Sequence, residues 1–199
     1  MNLTTLLGID FAVIVAPMFL VSNEKMIVEA VGNGATGAIP ALNYRTPELF
    51  REGIRSIKSQ IDGPFGINLI VNQSNVHYKK QLEILCEEKV AFVITSLGNP
   101  TETIQECHKN GIKVFCDVTD LKFAKKVEEL GCDAIIAVNK EAGGHAGDIS
   151  YRTLIPQLVA NCNVPIISAG GVGTGAEIRQ MMELGAAGVS MGSLFIATE

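Results

Sequence analysis

The chain has 199 residues, 47% of them hydrophobic and 19% charged, with a formal net charge of −5. That much apolar sequence suffices for one sizeable core, and an acidic balance with no basic stripe argues against nucleic acid as a partner. The five cysteines (Cys86, Cys107, Cys116, Cys132 and Cys162) contain no C-x-x-C pair and leave one over if paired, so they read as reduced residues of a cytoplasmic protein rather than as disulfides or metal ligands.

The first predicted element is a strand. Residues 11–21 are apolar throughout, but Pro17 interrupts them and the run is too short to span a bilayer. The first basic residue is Lys25, so no charged segment precedes the run as a signal peptide requires, and no membrane association is expected. Within it, residues 13–18 begin a series of apolar runs that continues at 36–40, 65–71, 91–97, 113–119, 134–139, 164–169 and 187–192. The runs start every 21 to 30 residues, the length of one β-α unit in a parallel sheet. Continuous rather than alternating apolarity is what strands covered on both faces require.

Helix punctuation fills the intervals. His77 falls at a helix start and reads as solvated surface. Asn99 is placed to cap a helix with Pro100 at its first position and Gly111 beyond its end. His108, in that helix's last turn, also reads as surface, where a cation suits the dipole. Asp120 opens a helix whose Leu121, Ala124, Val127 and Leu130 share one face, and Gly131 stops it. Thr174 and Glu177 have capping-box spacing, with Gly185 at the far end. No linker, charge block or low-complexity stretch breaks the series, so residues 1–199 read as a single domain. Eight strands alternating with helices predict an α/β fold, a closed (β/α)8 barrel in preference to a doubly wound open sheet. The series ends near Gly192, which leaves no room for an eighth helix and predicts three or four aliphatic side chains left uncovered, with self-association as a consequence.

In either architecture, ligands sit at the C-terminal ends of the strands. There the sequence places Ala16-Pro17-Met18, Asn68, Thr95-Ser96, the loop KEAGGHAGD over residues 140–148, Gly170-Gly171-Val172-Gly173, and Gly192-Ser193. Glycines that follow a strand and lead into a capped helix expose backbone N–H groups at a positive dipole end, a phosphate cradle. Gly171-x-Gly173-x-x-Ala176 also fits a dinucleotide fingerprint. It comes seventh in the series, with too little chain after it for a second nucleotide half. His145 has Gly144 before it and Gly147 shortly after, so a planar ligand could approach the backbone closely beside an ionisable ring. No second histidine or cysteine stands at metal-ligand spacing, and no serine occupies a nucleophile elbow.

Taken together, Ala16-Pro17-Met18, Gly66-Ile67-Asn68-Leu69, Glu141-Ala142-Gly143-Gly144-His145, Ser168-Ala169-Gly170-Gly171 and Gly192–Thr198 resemble the nitronate monooxygenase family, formerly 2-nitropropane dioxygenase, which includes flavin-dependent enoyl-acyl-carrier-protein reductases. The resemblance runs in order along the chain. It implies a TIM barrel holding FMN without a covalent bond. The phosphate would rest on Gly170, Gly171, Gly192 and Ser193, the flavin ring near Ala16, Pro17, Met18, Asn68 and Gly144, and His145 would be the catalytic residue. The implied reaction is oxidation of an alkyl nitronate by oxygen. The alternatives are a reductase in which FMN passes hydride from NAD(P)H to an enoyl thioester, and a catalytically silent flavin-binding domain; a homo-oligomer is left open. Where the family often has glutamine or glutamate followed by glycine before the histidine loop, this chain has Val138 and Asn139. Family members also continue beyond the point where this chain stops, supplying an eighth helix and part of a substrate lid.

Overall fold

The computed structural model describes residues 2–198. Eight parallel strands, β1 (Val13–Val15), β2 (Thr36–Pro40), β3 (Gly66–Ile70), β4 (Phe92–Ser96), β5 (Lys113–Val118), β6 (Ala134–Val138), β7 (Ile166–Ala169) and β8 (Gly188–Met191), close into a barrel in sequence order. Closure is made by β1 against β8, with Val13 beside Val189, Ile14 beside Ser190 and Val15 beside Met191. Outside the barrel lie helices α2 (Glu24–Gly32), α3 (Pro47–Lys58), α4 (Tyr78–Glu88), α5 (Thr101–Lys109), α6 (Leu121–Glu129), α7 (Tyr151–Asn161) and α8 (Gly175–Glu183). A five-residue helix α1 (Leu3–Leu7) precedes β1, and a four-residue helix α9 (Ser193–Ile196) follows β8. Among the described residues, no helix is long and apolar enough to cross a membrane.

Strand alternation separates two cores. Ile14, Ala38, Phe92, Ile94, Phe115, Ala134, Ile136 and Ile167 point inward and pack with Leu3 of α1, which closes the N-terminal end of the barrel. The intervening residues, among them Ile39, Ile67, Val93, Val114 and Ile135, point outward under the helices. Inside, Phe92 stacks on Phe115 with ring centroids 4.9 Å apart. Gly66 makes room for this pair, since a Cβ there would lie 2.2 Å from the Phe92 ring. Gly66→Ala should therefore overpack the barrel and lower stability by about 1–3 kcal/mol. Urea unfolding would measure it, and an unchanged midpoint would show that the phenylalanine pair repacks freely.

The predicted punctuation is present, with small shifts. Asp120 Oδ1 accepts from Phe123 N at 2.9 Å and caps α6. Asn99 caps α5 from one residue further out than expected: its Oδ1 accepts from Thr101 N and Thr101 Oγ1 at 3.1 and 2.7 Å, and Pro100 lies before the first helical residue. The first strand is shorter than the apolar run. After Val15 the chain turns at Pro17, with Met18 N bonded to Ser22 Oγ at 2.8 Å and Ser22 N to Met18 O at 2.9 Å.

At the end of the barrel the expectation of uncovered aliphatic side chains is met in part, at Leu194 and Ile196. The outward residues of β8, Val189 and Met191, are buried. They pack with Ile155, Met181 and Phe195 of α9, and Val15 beside them on β1 is buried as well. Side chains of α7 and α8, with Phe195, thus cover the outward face of β8, while Leu194 and Ile196 of the short helix are themselves exposed.

Candidate active site at the barrel mouth

Two glycine turns leave β7 and β8 side by side, because Ala169 pairs with Ser190. Gly170 and Gly171 have φ of +109° and +73°, a region that suits glycine. Gly192 lies close to the first strand's exit: a Cβ there would stand 3.2 Å from Met18 Sδ and 3.7 Å from Ala16 Cβ, and Ala16 N donates to Met191 O at 2.8 Å. Ala16, Met18 and Gly192 are therefore together, with Pro17 half-buried between the first two.

The donors on this side divide into used and free. Thr174 Oγ1 accepts from Glu177 N at 3.3 Å, while Glu177 Oε2 accepts from Gly173 N at 2.8 Å and Thr174 Oγ1 at 2.9 Å. The Gly173 N–H, with help from Thr174, holds the Glu177 carboxyl below its ordinary range. The N-terminus of α8 thus faces a carboxylate of its own. Among the described residues, the backbone N–H groups of Gly171, Val172, Ser193 and Leu194 have no partner.

The histidine loop runs from β6 to α7. Asn139 is fully buried; its Oδ1 accepts from Glu141 N at 2.9 Å and its Nδ2 donates to Gly170 O at 3.2 Å. The departure noted in the sequence therefore has a structural use: Asn139 ties the histidine loop to the first glycine turn. Glu141 accepts from Ser150 Oγ at 3.0 Å and Tyr151 N at 3.3 Å, capping α7. Gly144 has φ of +74°, and Gly147 presses on β5 and β6, where a Cβ would lie 2.9 Å from both Thr119 Cβ and Val138 O. His145, between those two glycines, is exposed.

On the opposite arc of the barrel, the alternation that sends Phe92, Ile94 and Phe115 inward also sends Asn68, Ser96 and Asp117 inward, at the mouth. Asn68 Nδ2 donates to Ile94 O at 3.2 Å and to Ser96 Oγ at 2.7 Å, and Ser96 Oγ donates to Asp117 Oδ2 at 2.5 Å. Burial pushes the Asp117 carboxyl up from 3.8 to about 6, with the Ser96 hydrogen bond pulling the other way. The sequence reading missed Asp117. Its signal was a lone carboxylate in the apolar run KVFCDVT, two residues after Phe115 and so on the same face.

This group makes stability depend on pH. Because the folded-state value lies above the ordinary one, the folded chain binds the extra proton, and stability falls as pH rises from about 4 to about 6. Asp117→Asn should remove that fall and stabilise the protein at pH 7.5 by on the order of 1–3 kcal/mol, the upper figure following from 1.36 kcal/mol per pH unit. The difference in urea-unfolding stability between variant and parent, followed over pH 4–8, measures it. A flat difference would contradict the assignment.

Of the residues singled out in the sequence, Ala16, Met18, Gly192 and Ser193 adjoin one another at the exits of β1 and β8, with Gly170 and Gly171 at the next strand end. Asn68 stands across the mouth from them, and among the described residues its hydrogen bonds run to Ile94 and Ser96 rather than to them. Ser168, in the same motif as the glycines, faces away: it pairs with Ala137 and Val189, which belong to the outer layer, and its buried Oγ has no partner among the described residues. His77 and His108 lie outside the mouth; His108 Nε2 meets Asp133 Oδ2 at 2.8 Å at the end of α5. All five cysteines are free thiols. Among the described residues, no three or more His, Cys, Asp or Glu side chains stand together as a metal site.

The sequence profile of nitronate monooxygenase matches residues 1–199. The chain belongs to the nitronate monooxygenase family. A nitronate monooxygenase from Paraburkholderia phytofirmans is 30% identical over 241 aligned positions, covering 98% of this chain and 66% of that protein. A 5-hydroxy-7a-methyl-1-oxo-octahydro-1H-indene-4-carboxyl-CoA dehydrogenase from Rhodococcus jostii is 29% identical over 197 positions, covering 99% of this chain and 55% of that one. The chain thus spans between about half and two-thirds of the length of these curated relatives. Among solved structures, FabK from Thermotoga maritima superposes with a TM-score of 0.93 at 32% identity, covering 98% of this chain and 62% of that one. A nitroalkane oxidase from Streptomyces ansochromogenes shares the fold, with a TM-score of 0.90 at 24% identity.

Proposed function

We propose that this member of the family is an FMN-dependent oxidoreductase that oxidises alkyl nitronates with oxygen, using His145 as its catalytic residue. The observation that carries the reading is the pair of adjacent strand ends, β7 and β8, with unpartnered backbone N–H groups. They are the donor set a phosphate monoester needs, and they lie at the usual phosphate position of a barrel. Gly170, Gly171, Gly192 and Ser193 would hold the phosphate. The ring would lie across the mouth, near Ala16, Pro17, Met18 and Gly144 on one side and Asn68 on the other. The fit favours one phosphate: among the described residues, no second nucleotide half adjoins the glycine turns. When bound, the flavin supplies two-electron chemistry, accepting electrons from the organic substrate and returning them to oxygen.

The protein's own part is binding and proton handling. His145 stands on a loop pinned by Asn139 and Gly147, open to small molecules entering the mouth. A neutral imidazole there can take the α-proton of a nitroalkane and leave its nitronate. The substrate is a small organic molecule, and the cysteine usage suits a reducing, cytoplasmic setting. Releasing the cofactor from purified protein and weighing it tests the proposal: FMN is expected, and FAD, or no flavin after reconstitution with excess FMN, would overturn it.

A second reading, an FMN enzyme acting on acyl thioesters with NAD(P)H, is favoured by one observation. The 241-position alignment with the nitronate monooxygenase exceeds the 199 residues available, so that relative carries insertions absent here. The match to the carboxyl-CoA dehydrogenase runs to 197 positions without such excess. Anaerobic mixing separates the two: rapid bleaching of the flavin by NAD(P)H supports the thioester reading, and bleaching by nitronate alone supports the first.

A further inference from the structure

The Asn68–Ser96–Asp117 array is more ordered than a polar lining requires. Both hydrogens of the Asn68 carboxamide are committed to β4, one to Ile94 O and one to Ser96 Oγ. Its oxygen Oδ1 has no partner among the described residues, although the residue is only 9% exposed. Ser96 has one proton to give, and gives it to Asp117. While that proton is held, Ser96 can meet Asn68 only as an acceptor, which fixes the amide with nitrogen toward β4 and oxygen away from it.

We propose that Asp117, acting through Ser96, is a positioning residue that holds the Asn68 carboxamide with its oxygen toward the barrel mouth, where it accepts a hydrogen bond from an N–H group of the bound ligand. The inference rests on the FMN reading above, since the isoalloxazine ring supplies such an N–H. The pH behaviour follows. Ionised Asp117 keeps the Ser96 proton; neutral Asp117 no longer needs it, Ser96 is free to turn, and Ile94 O alone orients the amide. No charged side chain on the neighbouring strands faces the carboxyl: the inward residues there are Gly66 and Asn68 on β3, Phe92, Ile94 and Ser96 on β4, and Ala134, Ile136 and Val138 on β6. The ionisable groups of the overlying loop are Lys140, Glu141, His145 and Asp148; Glu141 is engaged at the start of α7. Asp120, beyond β5, caps α6.

The test compares parent, Asp117→Asn and Ser96→Ala in two measurements. The first is FMN affinity of the apoprotein by fluorescence quenching between pH 5 and 8. A hydrogen bond of about 0.5–1.5 kcal/mol corresponds to about two- to tenfold in affinity at 1.4 kcal/mol per decade. The parent should bind FMN that much more tightly than either variant above about pH 7, and the advantage should shrink towards pH 5. The phosphate of FMN has its own ionisation near pH 6, but it affects all three proteins alike and cancels in the ratio. The second measurement is NMR on the ligand-free protein. The Asn68 side-chain NH2 resonances should titrate with the same midpoint as the Asp117 carboxyl carbon, and Ser96→Ala should uncouple them.

Asn68 resonances that ignore the Asp117 titration, or an affinity ratio flat with pH, would overturn the inference. If the parent binds no FMN, the cofactor reading fails, and the NMR coupling alone decides whether the relay exists. Should Asp117→Asn fail to fold, Ser96→Ala carries both measurements.

Discussion

Replacing His145 by alanine is expected to lower turnover of neutral nitroalkanes by about 10²–10⁴-fold, the contribution of a positioned general acid or base, while leaving FMN affinity within a few fold of the parent. At 1.36 kcal/mol per decade, that is roughly 3–5 kcal/mol of barrier. The two halves of the expectation come from separate parts of the mouth. In the proposed site the phosphate donors would be backbone N–H groups at the β7 and β8 exits, which a side-chain truncation does not touch. The histidine loop keeps its tethers, since Asn139 holds it to Gly170 and Glu141 holds it to α7. Preformed nitronates need no proton removed and should lose less. Bound flavin, and rates with both substrate forms across pH, provide the check. A variant that loses its flavin outright, or that oxidises neutral nitroalkane at the parental rate, would remove His145 from its role.

The barrel was legible because its signals are local and repeated. Each strand is a short apolar run, and each helix carries its own stop or cap, so Asp120 and Thr174 could be placed without knowing the partners of the elements they end. Less was legible where tertiary packing decides. The cover over Val189 and Met191 comes from Phe195, a residue whose last turn of chain gives no periodic signal, and from side chains of α7 and α8 that are distant in sequence. The site divides in the same way. Glycine turns and a histidine among glycines announce themselves by composition. Asp117 does not, because its meaning lies in facing inward beside Ser96 and Asn68 from two other strands, a relation that only the register of the sheet creates. Asn139 was read as a departure from a family pattern; its hydrogen bonds to Glu141 N and Gly170 O turn that departure into the link between two halves of the mouth.

Gly170→Ala should damage both halves at once. Its φ of +109° lies outside the range that residues with a side chain adopt comfortably, a strain of order 1–3 kcal/mol. The added Cβ would also meet Ala142 N at 2.4 Å, Asn139 Oδ1 at 2.5 Å and Ala142 Cα at 2.7 Å. Two of these are backbone atoms that cannot rotate aside, so the histidine loop must move away from the glycine turn, at a further cost of about 1–3 kcal/mol. The expected outcome is a clear loss of stability together with FMN affinity reduced at least tenfold, since the glycine turn proposed to hold the phosphate and its tether are displaced together. Gly143→Ala supplies the contrast. It lies in the same loop, two residues before His145, yet nothing stands within 4 Å of its Cβ position and its φ is not positive. It should leave stability within about 0.5 kcal/mol of the parent and FMN binding unchanged. Thermal unfolding and flavin titration of both variants make the comparison. Equal behaviour of the two would mean that the contact between Gly170 and Ala142 does not hold the mouth together.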